Sequence, residues 1–369
     1  MIYILSFLLF IVVLRIFYFL IGSIIERKKG LNLNAYKELP FISVVVPARN
    51  EENNIERCIN SIEMSDYPSN KFEIIAVNDR SEDNTLTILE NLKNKYSNLK
   101  IVNKTERENN LNLQGKPGAL QSGIDASQGE IILMTDADCT VHPKWIKTIS
   151  SFFADSEMGL VAGYTAIRGK KPFAKIQACE WTYLHTLATA GIGWNQPLSC
   201  YGNNIAVRKK YFDELGGYYA VKFSVTEDLA LLQAMFKHKK KLRHLTHEYC
   251  TVTTNACPTL KDYLTQHHRW IIGALDLGIR AFLWVMSSLA FWIGLLLSLI
   301  SANYNFAIIF FAVRFLGDTL LTLPTAKILK QKGLYKWMLP AEIFFLWMEL
   351  IAPLFLLKRD VEWKGQTFN

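Results

Sequence analysis

The chain has 369 residues, of which 50% are hydrophobic and 12% aromatic, and its mean hydropathy is +0.11. The apolar excess lies at the two ends, whereas residues 40–280 have the composition of a soluble domain large enough for one α/β core. Lys and Arg number 41 against 33 Asp and Glu, a net charge of +8. Because no basic stripe with interleaved aromatic residues accompanies this charge, nucleic acid is not predicted as a partner.

Residues 1–25 form an almost wholly apolar segment, interrupted mainly by Arg15. The segment is long enough to cross a bilayer and lacks the charged start and small-residue cleavage site of a signal peptide. It is therefore predicted to be an uncleaved transmembrane anchor. A basic linker over 26–39 follows, which favours a cytoplasmic position for the next domain by the positive-inside rule.

Four apolar runs in the first part of the middle domain are predicted to be buried strands: 41–47, 72–77, 99–103 and 130–135. Helix-length segments separate these runs, which predicts an α/β fold with a mostly parallel sheet and right-handed crossovers. Ligands of such sheets bind beyond the carboxyl ends of the strands. Polar motifs fall at three of those ends, so a nucleotide site is predicted there.

The apolar run at 131–134 leads into Asp136 and Asp138. Alternate residues after a strand end can direct their carboxylates at one cation, and hard oxygen ligands suit Mg²⁺ or Mn²⁺. Asp136 and Asp138 are therefore predicted metal ligands. The same spacing is common at helix caps, but its position downstream of two other strand-end motifs favours the metal.

Two further motifs lie downstream, Thr-Glu-Asp at 226–228 and Gln-His-His-Arg-Trp at 266–270, the second in an amphipathic segment over 258–280. Together with Asp-Ala-Asp at 136–138 they resemble the DxD, ED and QxxRW signatures of membrane-bound family 2 glycosyltransferases. The resemblance implies a GT-A (Rossmann-like) catalytic domain over 40–257. The tail at 361–366 is similar to the end of ceramide-glucosyltransferase-like and carotenoid glycosyltransferases.

The resemblance also assigns donor-binding residues. Asp79 would accept a hydrogen bond from the uracil imide of a UDP-sugar, and Lys116 would lie near the nucleotide. A lysine at a helix start opposes the helix dipole, and a bound anion would reverse that penalty. The other predicted donor-binding residues are Pro47, Ala48, Arg49, Glu51, Asp136, Gln266 and Arg269.

Asp228 is the predicted general base, which takes the proton of the acceptor hydroxyl as that oxygen attacks the sugar. The predicted acceptor-binding residues are Gly202, Asn203, Glu227 and Trp270. The Thr-Glu-Asp and Gln-His-His-Arg-Trp motifs also have purely structural interpretations. Residues 226–228 also suit the acidic first turn of a helix, and 266–270 suit an interfacial helix with a belt tryptophan.

Three more apolar segments are predicted to be transmembrane helices, at about 281–301, 305–326 and 337–357, ahead of a tail at 358–369. Arg314 and Asp318 lie one helical turn apart, so they are predicted to pair or to line a cavity. Basic residues flank both ends of the last segment, which leaves open the side of the C-terminus and whether one segment is re-entrant.

The predicted function is inverting sugar transfer from a nucleotide-sugar to a membrane lipid acceptor, by a multi-pass protein of the inner membrane with a cytoplasmic catalytic domain. A processive polysaccharide synthase acting on a growing glycan is the first alternative, because QxxRW also marks those enzymes. A non-catalytic membrane scaffold is the second, and the presence of Asp136, Asp138 and Asp228 argues against it. The sugar, the acceptor and the choice between Mg²⁺ and Mn²⁺ stay open.

Overall fold

The computed structural model describes residues 1–31, 38–106, 109–358, 360–363 and 366–368, without the side chains of 279–284 and of the residues after 361. The predicted linker at 26–39 and tail at 358–369 therefore lie partly outside the described residues.

The strands of the described residues are β1 (Ile42–Ala48), β2 (Phe72–Asp79), β3 (Leu99–Lys104), β4 (Ile131–Met134), β5 (Thr140–Val141), β6 (Met158–Ala162), β7 (Thr165–Arg168), β8 (Ile205–Arg208), β9 (Lys241–His244), β10 (Val252–Asn255), β11 (Val361–Trp363) and β12 (Gln366–Phe368). The α-helices are α1 (Ile2–Lys28), α2 (Ile55–Glu63), α3 (Thr85–Lys95), α4 (Lys116–Asp125), α5 (Trp145–Ser151), α6 (Pro172–Gly193), α7 (Lys209–Glu214), α8 (Gly217–Ala220), α9 (Glu227–Lys237), α10 (Leu260–Ala274), α11 (Ile279–Ile300), α12 (Tyr304–Ile328) and α13 (Met338–Phe355).

The central sheet has seven strands in the order β3-β2-β1-β4-β8-β6-β9. β1 runs parallel to β2 and β4, and β2 runs parallel to β3, whereas β8 is antiparallel to both β4 and β6. The mixed α/β fold with a mostly parallel sheet is thus confirmed. Because β1, β2 and β4 point the same way, the polar residues that follow them meet at one edge of the sheet.

The central strands β1, β2 and β4 are buried on both faces because helices cover both faces of the sheet. Val44 of β1 packs into the core on the side of α2 and α3, and the next residue, Val45, packs on the side of α4. Both side chains are fully buried. This alternation is the two-residue period of a strand.

Helix α6 connects the catalytic domain to the helices at the chain ends, and sequence analysis did not identify it. It packs against α1, α12 and α13 as well as β7 and β9. The crossing with α1 is close: a Cβ on Gly22 would lie 2.6 Å from the carbonyl oxygen of Ala190. Glycine is therefore required at this contact, which ties the N-terminal helix to the catalytic domain.

Three helical segments of the described residues are long and apolar enough to cross a membrane: Ile2–Lys28, Tyr304–Ile328 and Leu334–Phe355. The described apolar part of α11, Val285–Ile300, is shorter.

Buried charges join these helices in a group that we name the bundle cluster: Arg15, Arg314, Asp318, Glu342 and Glu349. Arg15 lies 2.9 Å from Asp318, and Arg314 lies 2.7 Å from Asp318 and 2.6 Å from Glu349. The predicted pairing of Arg314 with Asp318 is confirmed, and the cluster adds bonds from α1 and α13 to the same residues.

Candidate active site

A cleft of about 360 Å³ lies beyond the carboxyl ends of β1, β2 and β4. It is lined by every residue that the sequence predicted for the site, namely Pro47, Ala48, Arg49, Glu51, Asp79, Lys116, Asp136, Asp138, Gly202, Asn203, Glu227, Asp228, Gln266, Arg269 and Trp270. The structure therefore brings together residues from opposite ends of the catalytic domain. Their individual roles stay predictions.

At one end of the cleft, Asp79 closes β2 and is held by its neighbour Arg80. The Arg80 guanidinium donates to both carboxylate oxygens, from Nε at 2.8 Å and from Nη2 at 3.1 Å. Arg80 adopts a left-handed backbone with φ of 55°, which turns the chain back toward the carboxylate. These two hydrogen bonds fix the orientation of Asp79. Each carboxylate oxygen keeps a further lone pair, so Asp79 can still accept another hydrogen bond.

Lys116 is the first residue of α4 and lies deep in the cleft. Its Nζ is 2.7 Å from Oδ1 of Asp136 and 3.0 Å from Oε1 of Glu227. Burial alone would lower the pKa of this ammonium, but the charges of Asp136 and Glu227 outweigh it, so the pKa lies above its ordinary value. Lys116 therefore stays charged and links the DxD loop to the start of α9.

The two DxD carboxylates form the candidate metal centre. Oδ2 of Asp138 accepts a hydrogen bond from Thr254 at 3.0 Å. Burial, together with the negative charges of Asp136 and Glu51, raises the pKa of Asp138. Crowded carboxylates of this kind are the donor set that a hard divalent cation favours, so the residues fit Mg²⁺ or Mn²⁺.

Protein side chains alone do not complete a metal site here. In the described part of the chain, no group of three or more His, Cys, Asp or Glu residues is arranged to hold a metal ion. A pair of carboxylates fits a cation that takes its other ligands from water and from the phosphates of a bound nucleotide.

Asp228 lies at the start of α9, where backbone N–H groups hold its carboxylate. Oδ2 accepts from the N–H of Gly202 at 2.6 Å, and Oδ1 accepts from the N–H of Leu229 at 2.8 Å. Burial and the charge of Glu227 raise the pKa of Asp228 to about 6, against the lowering effect of Lys116. An oriented carboxylate with a pKa near 6 suits a general base at neutral pH.

Gly202 makes this arrangement possible by its lack of a side chain. A Cβ at this position would lie 2.7 Å from Oε1 of Glu227, 3.0 Å from Nζ of Lys116 and 3.3 Å from Cβ of Asp228. The loop backbone can therefore approach the charged groups closely enough to donate to Asp228. We name Lys116, Asp136, Asp138, Glu227 and Asp228 the cleft cluster.

The QxxRW motif lies on α10, whose N-terminus is capped by Thr259, the acceptor of a hydrogen bond from the Asp262 N–H. Trp270 packs edge-to-face against Trp181, with ring centroids 5.5 Å apart, and against Tyr201 at 6.0 Å. The motif thus supplies an aromatic wall to the cleft.

Several lining residues were missed by sequence reasoning, among them Gln177, Trp181, Tyr201, Thr254 and Cys257. The side chain of Gln177 accepts a hydrogen bond from the N–H of Cys257 at 2.8 Å and donates one to its carbonyl oxygen at 3.1 Å. These residues lie on α6, on β10 and in loops, away from the strand-end motifs. Residue spacing along the chain gave no signal that α6 folds back over the cleft.

Two family patterns match the chain. "Glycosyl transferase family 2" matches residues 43–216, and "Glycosyl transferase family group 2" matches residues 131–355. The second match covers more than half of the chain and extends through the C-terminal apolar helices. The chain therefore belongs to the glycosyltransferases of family group 2, and it is a transferase enzyme.

Curated relatives match parts of the chain. Glycosyltransferase AglE of Haloferax volcanii is 34% identical over 125 residues, 34% of this chain and 39% of that protein. Beta-monoglucosyldiacylglycerol synthase of Trichormus variabilis is 28% identical over 260 residues, 69% of this chain and 53% of that protein. The chain thus spans about half the length of these relatives or less.

One solved structure resembles almost the whole chain. The mannosyltransferase PcManGT from Pyrobaculum calidifontis, solved in complex with GDP-Man and Mn²⁺, superposes with a TM-score of 0.59. The match covers 96% of this chain and 98% of PcManGT at 17% sequence identity. At this identity the likeness concerns the fold, and it extends over both the catalytic domain and the apolar helices.

Proposed function

We propose that the protein is an inverting glycosyltransferase that moves a sugar from a nucleoside-diphosphate sugar to a membrane lipid, with UDP as the nucleotide. The observation that carries this proposal is the convergence of Asp136, Asp138, Lys116 and Asp228 in one cleft, on a chain with helices able to cross a membrane. The Trichormus variabilis relative, whose name describes a glycolipid synthase, supports a lipid acceptor.

Asp136 and Asp138 would hold Mg²⁺ or Mn²⁺ against the donor diphosphate. When bound, the cation neutralises the charge that develops on the leaving group. PcManGT, which was solved with Mn²⁺ and a nucleotide-sugar, supports this use of a divalent ion. The ammonium of Lys116 lies 2.7 Å from Asp136 and is placed to add a second positive charge beside the phosphates.

Asp228 would take the proton of the acceptor hydroxyl. The N–H groups of Gly202 and Leu229 fix its two oxygens, so the carboxylate meets the acceptor in one orientation. Glu227 and Asn203 would bind the acceptor sugar or head group, and Trp270 would stack on it, while Gln266 and Arg269 would contact the donor. These assignments follow the family resemblance and the position of each residue in the cleft.

The proposed layout places α1 in the membrane as an anchor with its basic end, Arg27 to Lys29, on the cytoplasmic side. The catalytic domain over 40–257 would then lie in the cytoplasm, with 258–280 at the interface and 281–357 in the membrane. Close packing of α1 against α6 favours this layout, because it holds the cleft near the membrane surface.

The test is transfer by the full-length protein in detergent, with UDP-glucose, UDP-N-acetylglucosamine or GDP-mannose and a total lipid extract, and mass spectrometry of the products. We expect a glycolipid bearing one sugar, and a loss of about 10²–10⁴-fold in Asp228→Asn. Asp213→Asn, on the exposed face of α7, is the matched control.

Each contrary outcome corrects one part of the proposal. Unchanged turnover in Asp228→Asn would remove Asp228 from the base role. A polymer as product would favour the processive synthase, and transfer from GDP-mannose alone would replace UDP as the nucleotide.

A further inference from the structure

A second cavity, of about 340 Å³, adjoins the cleft between α6, α9 and α10. Its volume is within the range of small-ligand pockets. Most of its lining residues are apolar, and they include Leu184, Leu187, Ala188, Leu198, Ile271 and Ala274. It shares four lining residues with the cleft: Tyr201, Thr226, Asp228 and Trp270. The candidate base therefore faces a polar chamber on one side and an apolar chamber on the other.

The apolar cavity reaches the membrane-facing part of the chain. Leu277 and Val285, on either side of the start of α11, belong to its wall. Val285 is 53% exposed, and it begins an exposed apolar face of α11 that continues through Leu289 and Ile293. A lipid chain lying along this face could reach the cavity past Val285.

The carboxylate and imidazole side chains in the described wall of the cavity are those of Asp228, Glu180 and His267. Among the lining residues that the structure describes, none is Lys or Arg. Arg269 instead lines the cleft. The carboxylates of Asp228 and Glu180 thus belong to the wall, with the imidazole of His267 beside Glu180, and an anionic head group would meet a like charge at Asp228.

A buried oxygen of Glu180 indicates that the ligand of this cavity is a hydrogen-bond donor. Its Oε1 accepts from the hydroxyl of Tyr263 at 2.7 Å and lies 2.8 Å from Nε2 of His267. Its Oε2 is buried without a hydrogen-bond partner among the described residues, although the residue as a whole is 8% exposed. A buried acceptor without a donor is unfavourable, and a ligand hydroxyl would satisfy it.

We infer that this cavity holds the acceptor, and that the acceptor is an uncharged lipid whose head group bears free hydroxyl groups. The inference rests on the proposed function and names its acceptor class. The lipid chain would occupy the apolar part, one hydroxyl would point at Asp228, and a second would donate to Oε2 of Glu180.

In the proposed reaction, the hydroxyl oxygen of the acceptor replaces the diphosphate on the sugar. The hydroxyl oxygen forms a bond to the anomeric carbon as the bond from that carbon to the diphosphate breaks. The nucleoside diphosphate leaves with the bonding electrons, and the hydroxyl proton passes to Asp228 and then to water. An acceptor phosphate would arrive already ionised, so it would need no base and would be repelled by the carboxylate of Asp228.

The test compares acceptors for the full-length enzyme in mixed micelles. 1-Oleoylglycerol, an uncharged lipid with two free hydroxyl groups, and undecaprenyl phosphate are supplied at equal mole fraction, with the donor that gives the highest rate of UDP or GDP release. We expect transfer to 1-oleoylglycerol to exceed transfer to the phosphate by at least about 100-fold, because the phosphate would meet a like charge in the cavity. Equal transfer, or preference for the phosphate, would overturn the inference.

A pair of adjacent variants tests the cavity itself. Ile271→Trp fills the cavity, whereas Ile272→Trp changes the neighbouring residue, which is absent from the cavity wall. We expect Ile271→Trp to raise the acceptor KM at least about tenfold and Ile272→Trp to leave it near wild type. Equal acceptor KM in the two variants would refute the location.

Failure of the inference is distinguishable from failure of the proposed function. Metal-dependent donor hydrolysis that requires Asp138, combined with no transfer to either lipid, would uphold the donor site and overturn the acceptor class. No donor hydrolysis and no donor binding would overturn the proposed function.

Discussion

The cleft cluster and the bundle cluster are both buried groups of opposite charges, but they differ in balance. In the bundle cluster, Arg314 bonds Asp318 and Glu349 directly, and Arg15 bonds the other side of Asp318. In the cleft cluster, the single cation Lys116 contacts Asp136 and Glu227, while Asp138 and Asp228 keep raised pKa values.

This difference indicates that the bundle cluster connects helices, whereas the cleft cluster is suited to bind a ligand. Buried ions are stable only when partners and hydrogen bonds compensate for lost hydration. The bundle cluster meets that condition mainly through its own arginines, so its effect is on stability. The bundle cluster has three carboxylates against two arginines, whereas the cleft cluster has four carboxylates against one lysine. A cation or a proton would relieve this larger excess, which is the condition expected at an active site.

Removal of a proposed metal ligand should have the largest effect on turnover. In Asp138→Ala the cation loses one of two carboxylates, and the leaving group loses charge compensation of several kcal/mol, about 10³-fold in kcat/KM. The measurement is UDP release against Mn²⁺ concentration. Asp213→Ala, an exposed acid on α7, is the control, and a metal response in Asp138→Ala equal to that of the control would contradict the assignment.

Removal of a charge from the bundle cluster should lower the stability of the protein rather than its turnover. Arg314→Met leaves Glu349 without its guanidinium partner and Asp318 with Arg15 alone, and breaking a buried pair in this way costs about 3–5 kcal/mol. A fall in Tm by intrinsic fluorescence should therefore accompany near wild-type turnover per folded molecule. Leu316→Ala, on the exposed face of α12, is the control. A wild-type Tm, or a turnover loss as large as that of Asp138→Ala, would abolish the distinction between the clusters.

Gly202→Ala tests whether the cleft cluster depends on close backbone approach. The added Cβ meets Glu227 at 2.7 Å and must displace that carboxylate or Lys116. Misplacement of about 1 Å at a reacting group costs up to 10²-fold, so we expect a roughly 10- to 100-fold fall in turnover. Gly159→Ala, whose Cβ would meet Lys240 at 2.5 Å outside the cleft, is the control for backbone strain. Equal losses in both variants would show that the cleft geometry is not the cause.

The smallest expected effect is a shift in pH dependence. Asp228 accepts a proton only when ionised, so kcat/KM should rise with pH through the pKa of about 6. The charge of Glu227 raises this pKa, so Glu227→Gln should move the acidic limb to lower pH by roughly one unit. Lys116 lowers the same pKa, so Lys116→Met should move the limb to higher pH. If the acidic limb of the pH profile stayed unchanged in both variants, it would reflect the titration of a group other than Asp228.

The parts of the molecule that follow from local sequence were predictable. Strand ends and the residues after them lie close together in any parallel sheet, so the meeting of Asp79 with Asp138 followed from their positions. Arg314 and Asp318 are one helical turn apart, so their pairing followed from helix geometry.

Contacts between distant segments were not predictable in this way. Arg15 bonds Asp318 across 303 residues, and no local pattern couples α1 to α12. The position of α6 was missed for the same reason, and with it Trp181 in the cleft and Glu180 in the apolar cavity. Such contacts depend on how whole helices pack, which a single sequence does not encode as spacing.

Calorimetric titration of UDP into the full-length protein, with Mn²⁺ and with EDTA, tests the central claim most directly. If the DxD carboxylates bind a cation together with the donor diphosphate, UDP should bind at least about tenfold more tightly with Mn²⁺. Asp138→Ala should lose this difference and Arg314→Met should keep it. Equal UDP affinity with Mn²⁺ and with EDTA in the wild-type protein would contradict the account.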